Sequence, residues 1–309
     1  MNEPSKATVT PTVRPGRPGD TQACHRLMWH AITDLAVRHG IPLQGTADDW
    51  WPSSEGQFEL LARTAAEWWV AEDSASQSLV GYARSIDREG LFELTEFFVL
   101  PAEQAKGVGR ALLERAFPPG RGEVRSIIAT TDVRALTRYY AAGVAARFPL
   151  LTVSRSPRPR AGDALPLEPI RIDSASARLL AEVSVMERSI LDYSRGEDGL
   201  SWLLESREGY VYRRDGESVG FAFVGRDGAG PMGALDPEDQ PALLRHVEGR
   251  AAALGADRLT LEVPGVNSVA MRYLMAEGFR LDPWVNLLMS SRPFGQFDRF
   301  IAFSPPTFL

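Results

Sequence analysis

Between Gln104 and Ala111 the chain reads QAKGVGRA, then takes up a helical pattern with Leu112, Leu113, Ala116 and Phe117 on one stripe. Gly107 and Gly109 flank Val108, Lys106 precedes them and Arg110 follows. A bend of this kind at a helix start turns main-chain N–H groups toward one point, where the helix dipole adds positive potential. The chemistry it suits is anion binding. A Cβ at 107 or 109 would hold phosphate oxygens away from the backbone, and Lys106 and Arg110 add charge at the rim. The bland alternative is a tight strand-to-helix bend that holds nothing.

Other groups that can do chemistry lie on either side. Upstream, LFELTEFFVL carries Glu93 and Glu96, which strand alternation places on opposite faces. A carboxylate on the pocket side can accept a proton. Glu93, Thr95 and Glu96 interrupt the apolar run, and a strand buried on both faces should not carry that many polar groups. The segment is therefore expected to be half-exposed, with one side toward a pocket. Downstream, DVRALTRYYAAG opens on Asp132 and carries Tyr139 and Tyr140. The plain readings are a solvated strand charge for either glutamate and a buried helix-face aromatic for Tyr139. Cys24, the lone cysteine, has no suggested histidine partner and reads as core.

The elements that must position these groups follow from pattern. TVTPTVRP predicts an edge strand, and Asp20 is the N-cap of a helix to about His39. GIPLQGTADDWWP reads as a loop, and SSEGQFELLARTAAE as a second helix with Ser54 and Gln57 at capping-box spacing. WWVAED, SLVGYARSI and LFELTEFFVL read as strands. After the glycine bend and its helix come a strand, SIIATT, the helix DVRALTRYYAAG, and a final pair of strands around RFPLLTVSR. The order is β-α-α-β-β-β-α-β-α-β-β.

SPRPRAGDALPLEP has no periodicity and reads as a proline-stiffened linker, with Arg155, Arg158 and Arg160 as a solvated tether. The expected division is a domain over 1–156, a linker over 157–169 and a domain over 170–309. The second half repeats the later part of the first. YVYRRDGESVGFAFV mirrors the strands around SLVGYARSI, with Gly220 standing where Gly81 stands. With Gly278 laid on Gly143, Asn267 falls on Asp132 and Ala270 on Ala135. The second copy has no glycine bend: GALDPEDQPALLRHVEG replaces it.

Composition excludes several classes. The 309 residues are 44% hydrophobic and 24% charged, enough for real cores and for a soluble chain. No apolar run is long enough to span a bilayer, and the first residues lack a secretory apolar core. A net charge of −6 argues against general nucleic-acid binding. His25, His30, His39 and His246 show no metal-binding spacing, so no metal is expected. One cysteine fits a reducing, cytoplasmic setting.

The glycine bend can be tested against known phosphate motifs. A P-loop needs GxxxxGK followed by Ser or Thr, which is absent. A dinucleotide fingerprint would put Leu112 at its third small position and should follow its strand at once, whereas PAEQAK intervenes. Gln104-Ala105-Lys106-Gly107-Val108-Gly109, following FFVLP, resembles the (Arg/Gln)-x-x-Gly-x-(Gly/Ala) pyrophosphate loop of the GNAT N-acyltransferase superfamily. The resemblance covers most of residues 8–155. DVRALTRYYAAGV is similar to that family's N-x-x-A-x-x-L-Y-x-x-x-G-F helix at Asp132, Ala135, Tyr139 and Gly143, departing at Asp132 and Val144.

The resemblance implies an α/β (α+β) fold of two GNAT-like domains, each a mixed, largely antiparallel twisted sheet flanked by helices, with a splayed strand pair at the cofactor site. It implies acetyl-coenzyme A as donor, bound by Gln104 to Ala111 and Asp132, with Phe98 and Val99 pairing with the pantetheine arm. Glu96 would be the base for a neutralised amine, with Glu93 as alternative. The N–H of Val99 would face the oxyanion, and Tyr139 would protonate the departing thiolate, with Tyr140 as fallback. The second copy would be degenerate: Leu274 takes the tyrosine position and Asp236-Pro237-Glu238-Asp239 the loop. Trp50 and Trp51 beside Asp48 and Asp49 would suit an amine on an apolar body. The expected partner is a small-molecule or peptide amine, and the chain a monomer with an internal pseudo-dimer or a homodimer. The competing expectation is a non-catalytic module that binds coenzyme A for sensing or scaffolding.

Overall fold

The computed structural model describes residues 11–160, 165–173, 176–226 and 228–302. They form two compact units: 1–87 with 92–121, and 88–91 with 122–309.

The first unit contains β1 (Thr12–Pro15), α1 (Thr21–Arg38), α2 (Ala47–Thr64), β2 (Ala65–Glu72), β3 (Leu79–Arg88), β4 (Leu91–Val99) and α3 (Val108–Ala116). Its strands lie in the order β1-β2-β3-β4. Cys24, Leu27, Phe58, Val70 and Tyr82 form a core, with Met28, Trp51, Trp68 and Phe98 packed against it.

Helix α2 begins earlier than Ser54. Thr46 accepts the N–H of Asp49, and the Asp49 carboxylate accepts the N–H of Thr46 at 2.8 Å, a reciprocal cap that starts the helix at Ala47. Trp50 and Trp51 therefore stand on a helix and not in a loop. Pro52 is tolerated inside it, and the hydroxyls of Ser53 and Ser54 donate to the Trp50 carbonyl at 2.9 and 3.0 Å.

Strand β4 also departs from expectation, because Leu91 through Glu96 are all buried. The polar residues survive there because they are partnered: Thr95 Oγ1 donates to the Arg84 carbonyl at 3.1 Å, and Glu93 and Glu96 have partners of their own. Gly81 on β3 lets α3 lie close on the sheet. A Cβ there would stand 3.0 Å from Leu112 Cδ1 and 3.2 Å from the Phe98 carbonyl.

The second unit contains β5 (Val124–Thr130), α4 (Val133–Ala141), β6 (Ala145–Arg155), β7 (Glu168–Ile172), α5 (Ala177–Leu191), α6 (Gly196–Ser206), β8 (Glu208–Arg214), β9 (Glu217–Gly225), β10 (Gly228–Ala234), α7 (Gln240–Ala253), β11 (Leu259–Pro264), α8 (Ser268–Ala276), β12 (Arg280–Ser290) and β13 (Phe300–Ile301). Four strands run side by side as β5-β12-β6-β11, and five as β13-β10-β9-β8-β7. One core gathers Val247, Leu261 and Leu274; another gathers Leu180, Ile190, Leu200, Phe221 and Phe297.

The repeat is exact in length over its last part. Helices α4 and α8 have nine residues each, β6 and β12 eleven each, at one spacing (133 to 268, 145 to 280). The two copies also exchange strands. β12, from the second copy, pairs antiparallel with both β5 and β6 of the first, and β6 pairs in turn with β11. The pair of strands expected around RFPLLTVSR is thus one long strand, whose neighbours are both supplied by the second half. Strands of both copies therefore lie in one compact unit, and the two units divide after Arg121. Of the linker arginines Arg158 is exposed, but Arg155 and Arg160 are not a solvated tether. Glu248, buried, stands 3.3 Å from Arg155 and 2.7 Å from Arg160 and accepts the N–H of Arg158 at 3.1 Å.

Candidate active site

The glycine bend opens α3 in the first unit. Gly107 is the N-cap, left-handed at φ 88°, and Ala105 is left-handed at φ 64°, with Lys106 between them at negative φ. Alternation of this kind in consecutive residues forms the main-chain nest that takes an anion. A Cβ at Gly107 would meet nothing within 4 Å, so the face that glycine leaves bare is open to a ligand. Val108 and Gly109 are buried in the first turn. Gln104 Nε2 donates to the Val99 carbonyl at 3.1 Å, tying the loop to the end of β4. Lys106 pairs with Glu103 at 3.0 Å and Arg110 with Glu114 at 2.8 Å, both at the surface. Exposed pairs are weak, so both cations are available to a phosphate. The residues fit a diphosphate.

Glu96 lies on β4 and is 2% exposed. Tyr82 donates to its Oε1 at 2.8 Å, and Arg84 Nη1 stands 3.1 Å from its Oε2, an ion-pair distance without hydrogen-bond geometry. Arg84 is fully buried, lies over Trp68 at 4.2 Å, its cross-strand neighbour, and donates to the Phe58 carbonyl at 3.1 Å. Its Nε and Nη2 have no partner. Burial raises the Glu96 carboxyl above its ordinary value, opposed by the Arg84 charge and the Tyr82 hydrogen bond. A buried ion pair with unmet donors is expensive, and such groups concentrate where function needs them. Tyr82 and Arg84 were not singled out from sequence. Their signal was there: two polar-tipped residues two apart in SLVGYARSI share a strand face.

Asp132 and Tyr139 belong to the second unit. The Asp132 carboxylate caps α4, accepting the N–H of Arg134 at 3.0 Å and pairing with its guanidinium at 3.1 Å. Tyr139 lies on the buried face of α4, and burial pushes its hydroxyl well above its ordinary value, with Asp132 adding to the shift. It stays protonated at neutral pH, as a proton donor must. Tyr140, the fallback, is 55% exposed and points away from that face.

In the second copy Leu274 is fully buried at the tyrosine position. The acidic segment closes on itself: Asp236 accepts the N–H of Glu238 at 3.0 Å, and Asp239 is held by Arg214. Near the proposed amine wall, Asp49 is consumed by its cap and Asp48 pairs with Arg26 at 3.1 Å. Trp50 stays 47% exposed and leans on Trp29 at 5.2 Å, while Trp51 packs on His25 at 5.1 Å. The Cys24 thiol is fully buried and pushed up to about 12 by burial, consistent with core. A cavity of about 310 Å³ in the second unit is lined by Pro159, Arg160, Arg245, His246 and Arg250. Its Arg160 and Arg250 are already paired, with Glu248 and Glu208, so it does not suit a diphosphate.

Among the described residues no cluster of three or more His, Cys, Asp or Glu could hold a metal ion. No helix among them is long and apolar enough to cross a membrane.

Comparison with known proteins bears on the same region. No curated protein matches the sequence. Solved structures share its fold over most of its length. A protein from Pyrococcus horikoshii, provisionally assigned as an acetyltransferase, is 15% identical with TM-score 0.71, over 97% of this chain and 96% of that one. A GCN5-related N-acetyltransferase from Sphaerobacter thermophilus is 16% identical with TM-score 0.62, over 92% and 96%. A tandem GNAT protein from the clavulanic acid biosynthesis pathway is 13% identical with TM-score 0.57, over 92% and 99%. The profile of the GNAT acetyltransferase domain matches residues 64–143, the stretch from β2 through α4 that holds the glycine loop, Glu96 and Tyr139. The chain shares the fold of these GNAT structures, and its residues 64–143 match the GNAT acetyltransferase domain.

Proposed function

We propose that the chain transfers an acetyl group from acetyl-coenzyme A to a primary amine, by direct attack of the amine in a ternary complex. The observation that carries this is the pair of left-handed residues, Ala105 and Gly107, opening α3 inside the matched domain. The loop from Gln104 to Ala111 holds the diphosphate, with Lys106 and Arg110 at its rim. Phe98 and Val99, at the end of β4, take the pantetheine arm, and the Val99 N–H faces the developing oxyanion. Asp132 contributes to the cofactor site by shaping the start of α4.

A lysine-like amine is neutral in about one molecule in a few thousand at pH 7, so a base must take its proton. Glu96 is that base, with Glu93 the alternative. Because Glu96 does not reach the surface, the proton must travel through a relay, and the raised carboxyl value suits it to accept one. Tyr139 gives its proton to the departing thiolate. The acceptor is a small-molecule or peptide amine.

The enclosure of Glu96 by Tyr82 and Arg84 favours a second reading, in which the chain binds coenzyme A for sensing and turns nothing over. One experiment separates them: thiol release from acetyl-coenzyme A across a panel of amines, with Tyr139→Phe as control. An enzyme loses about 100-fold or more in kcat in that variant with cofactor affinity unchanged. Silence across the panel with tight cofactor binding selects the sensor, and absence of binding removes both.

A further inference from the structure

The last described residues complete the second copy in a way the sequence does not announce. Strand β13 runs antiparallel to β10, with Gly233 opposite Phe300 and Met232 opposite Ile301. The other edge of β10 is held by β9. Ala302 bridges to β11, its N–H donating to the Glu262 carbonyl at 2.9 Å, and the other edge of β11 is held by β6. Residues 300–302 are thus an inserted strand between β10 and β11, each 0% exposed.

Two helix starts grip this segment. Asn267, the buried cap of α8, donates from Nδ2 to the Phe300 carbonyl at 3.1 Å and to Gln240 Oε1 at 2.7 Å. Gln240, the first residue of α7, donates from Nε2 to the Asp298 carbonyl at 2.6 Å. Upstream, the Gln296 N–H donates to the Ile190 carbonyl at 2.6 Å and the Gly295 N–H to Asp192 at 2.9 Å.

By the internal repeat, β10 and β11 are the counterparts of β4 and β5, and α7 and α8 begin where α3 and α4 begin. Those are the places assigned above to the cofactor in the first copy. We infer that the second copy keeps a cleft of the same kind and that residues 298–302 of the chain itself are its resident occupant. The extended backbone of residues 300–302 and the short 3-10 turn before it, Phe297–Arg299, take strand-edge and helix-start hydrogen bonds of the kind a pantetheine arm would need. The acidic residues 236–239 independently disfavour a diphosphate there. One chain therefore binds one coenzyme A, a count that rests on the proposed site at residues 104–110.

Native mass spectrometry of the full chain with coenzyme A, joined to hydrogen exchange, tests this. The expected result is one equivalent bound, none by Gly107→Val. Amides 300–302 should exchange as slowly as those of Phe221 to Phe223, with or without the ligand. A second equivalent, binding retained by Gly107→Val, or loss of protection at 300–302 on adding coenzyme A would overturn the inference. A full chain that binds none would end the reading of residues 104–110 alone. The closure would then be judged by exchange: slow amides at 300–302 uphold it, and exchange within seconds ends it.

Discussion

The bends after β4 and after β10 stand at matching places in the repeat and are built for opposite ends. After β4, Ala105 and Gly107 turn left-handed and leave an open face at the start of α3. After β10, a proline-opened turn of acids leads into α7, whose first residue is spent on the chain's own tail. What the bends share is the packing behind them. A Cβ at Gly220 would stand 2.9 Å from the Gly233 carbonyl and 3.1 Å from Leu243, just as one at Gly81 would meet Phe98 and Leu112. Close approach of helix to sheet is a demand of the fold and persists in both copies. The left-handed glycine loop, which the proposed function gives to a ligand, occurs in one.

Four measurements would break or sharpen this contrast. The largest effect is expected from Gly107→Val. A β-branched residue at φ 88° is strained, and its side chain would occupy the open face, so calorimetry should show coenzyme A affinity falling by at least about 100-fold, roughly 3 kcal/mol or more, to the point where no equivalent is retained in native mass spectra.

Next is Glu262, buried beside the inserted tail and held at about 7 by burial, against hydrogen bonds from Thr152 at 3.0 and 3.1 Å. Its folded value lies above the ordinary 4.5, so the folded chain binds that proton more tightly than the unfolded one. Its contribution is full below about pH 4.5 and is lost as pH rises through 7. Glu262→Gln should therefore be more stable than the parent at pH 8, by on the order of 1–3 kcal/mol, with the gap closing near pH 4. Urea titrations at the two pH values decide it, and a gap that widens toward acid refutes it.

Asn267→Ala removes its hydrogen bonds to the Phe300 carbonyl and to Gln240 and the cap on the Ala270 N–H, at an expected cost of about 2–4 kcal/mol in stability, while coenzyme A affinity stays at the parent value. A drop in affinity would place a ligand in the second copy. The smallest effect belongs to the rim: Lys106→Ala and Arg110→Ala should each weaken binding by a few-fold, and less at high salt, because their charges are solvent-screened.

Much of the candidate site could be read along the chain, because its features are local. Gly107 announces a backbone that only glycine adopts easily, and Tyr139 falls on the buried stripe of a short helix. Glu96 was visible as a polar residue in an apolar strand, but its surroundings were not. Whether such a carboxylate faces water or an arginine depends on the neighbouring strand, and here Tyr82 and Arg84 close over it. The start of α2 was misread because two capping patterns compete, Thr46 with Asp49 and Ser54 with Gln57, and only packing of Trp51 and Phe58 against α1 selects the earlier one.

By itself the sequence determined the element order as far as α4, the repeat and the single glycine bend, since periodicity, caps and left-handed turns are properties of neighbouring residues. The tertiary structure alone decided that β12 enters between β5 and β6, that Glu248 fastens Arg155 and Arg160, and that residues 300–302 enter between β10 and β11. Strand pairing joins residues far apart in the chain through identical backbone groups, and no side-chain pattern specifies which edge an apolar strand will find.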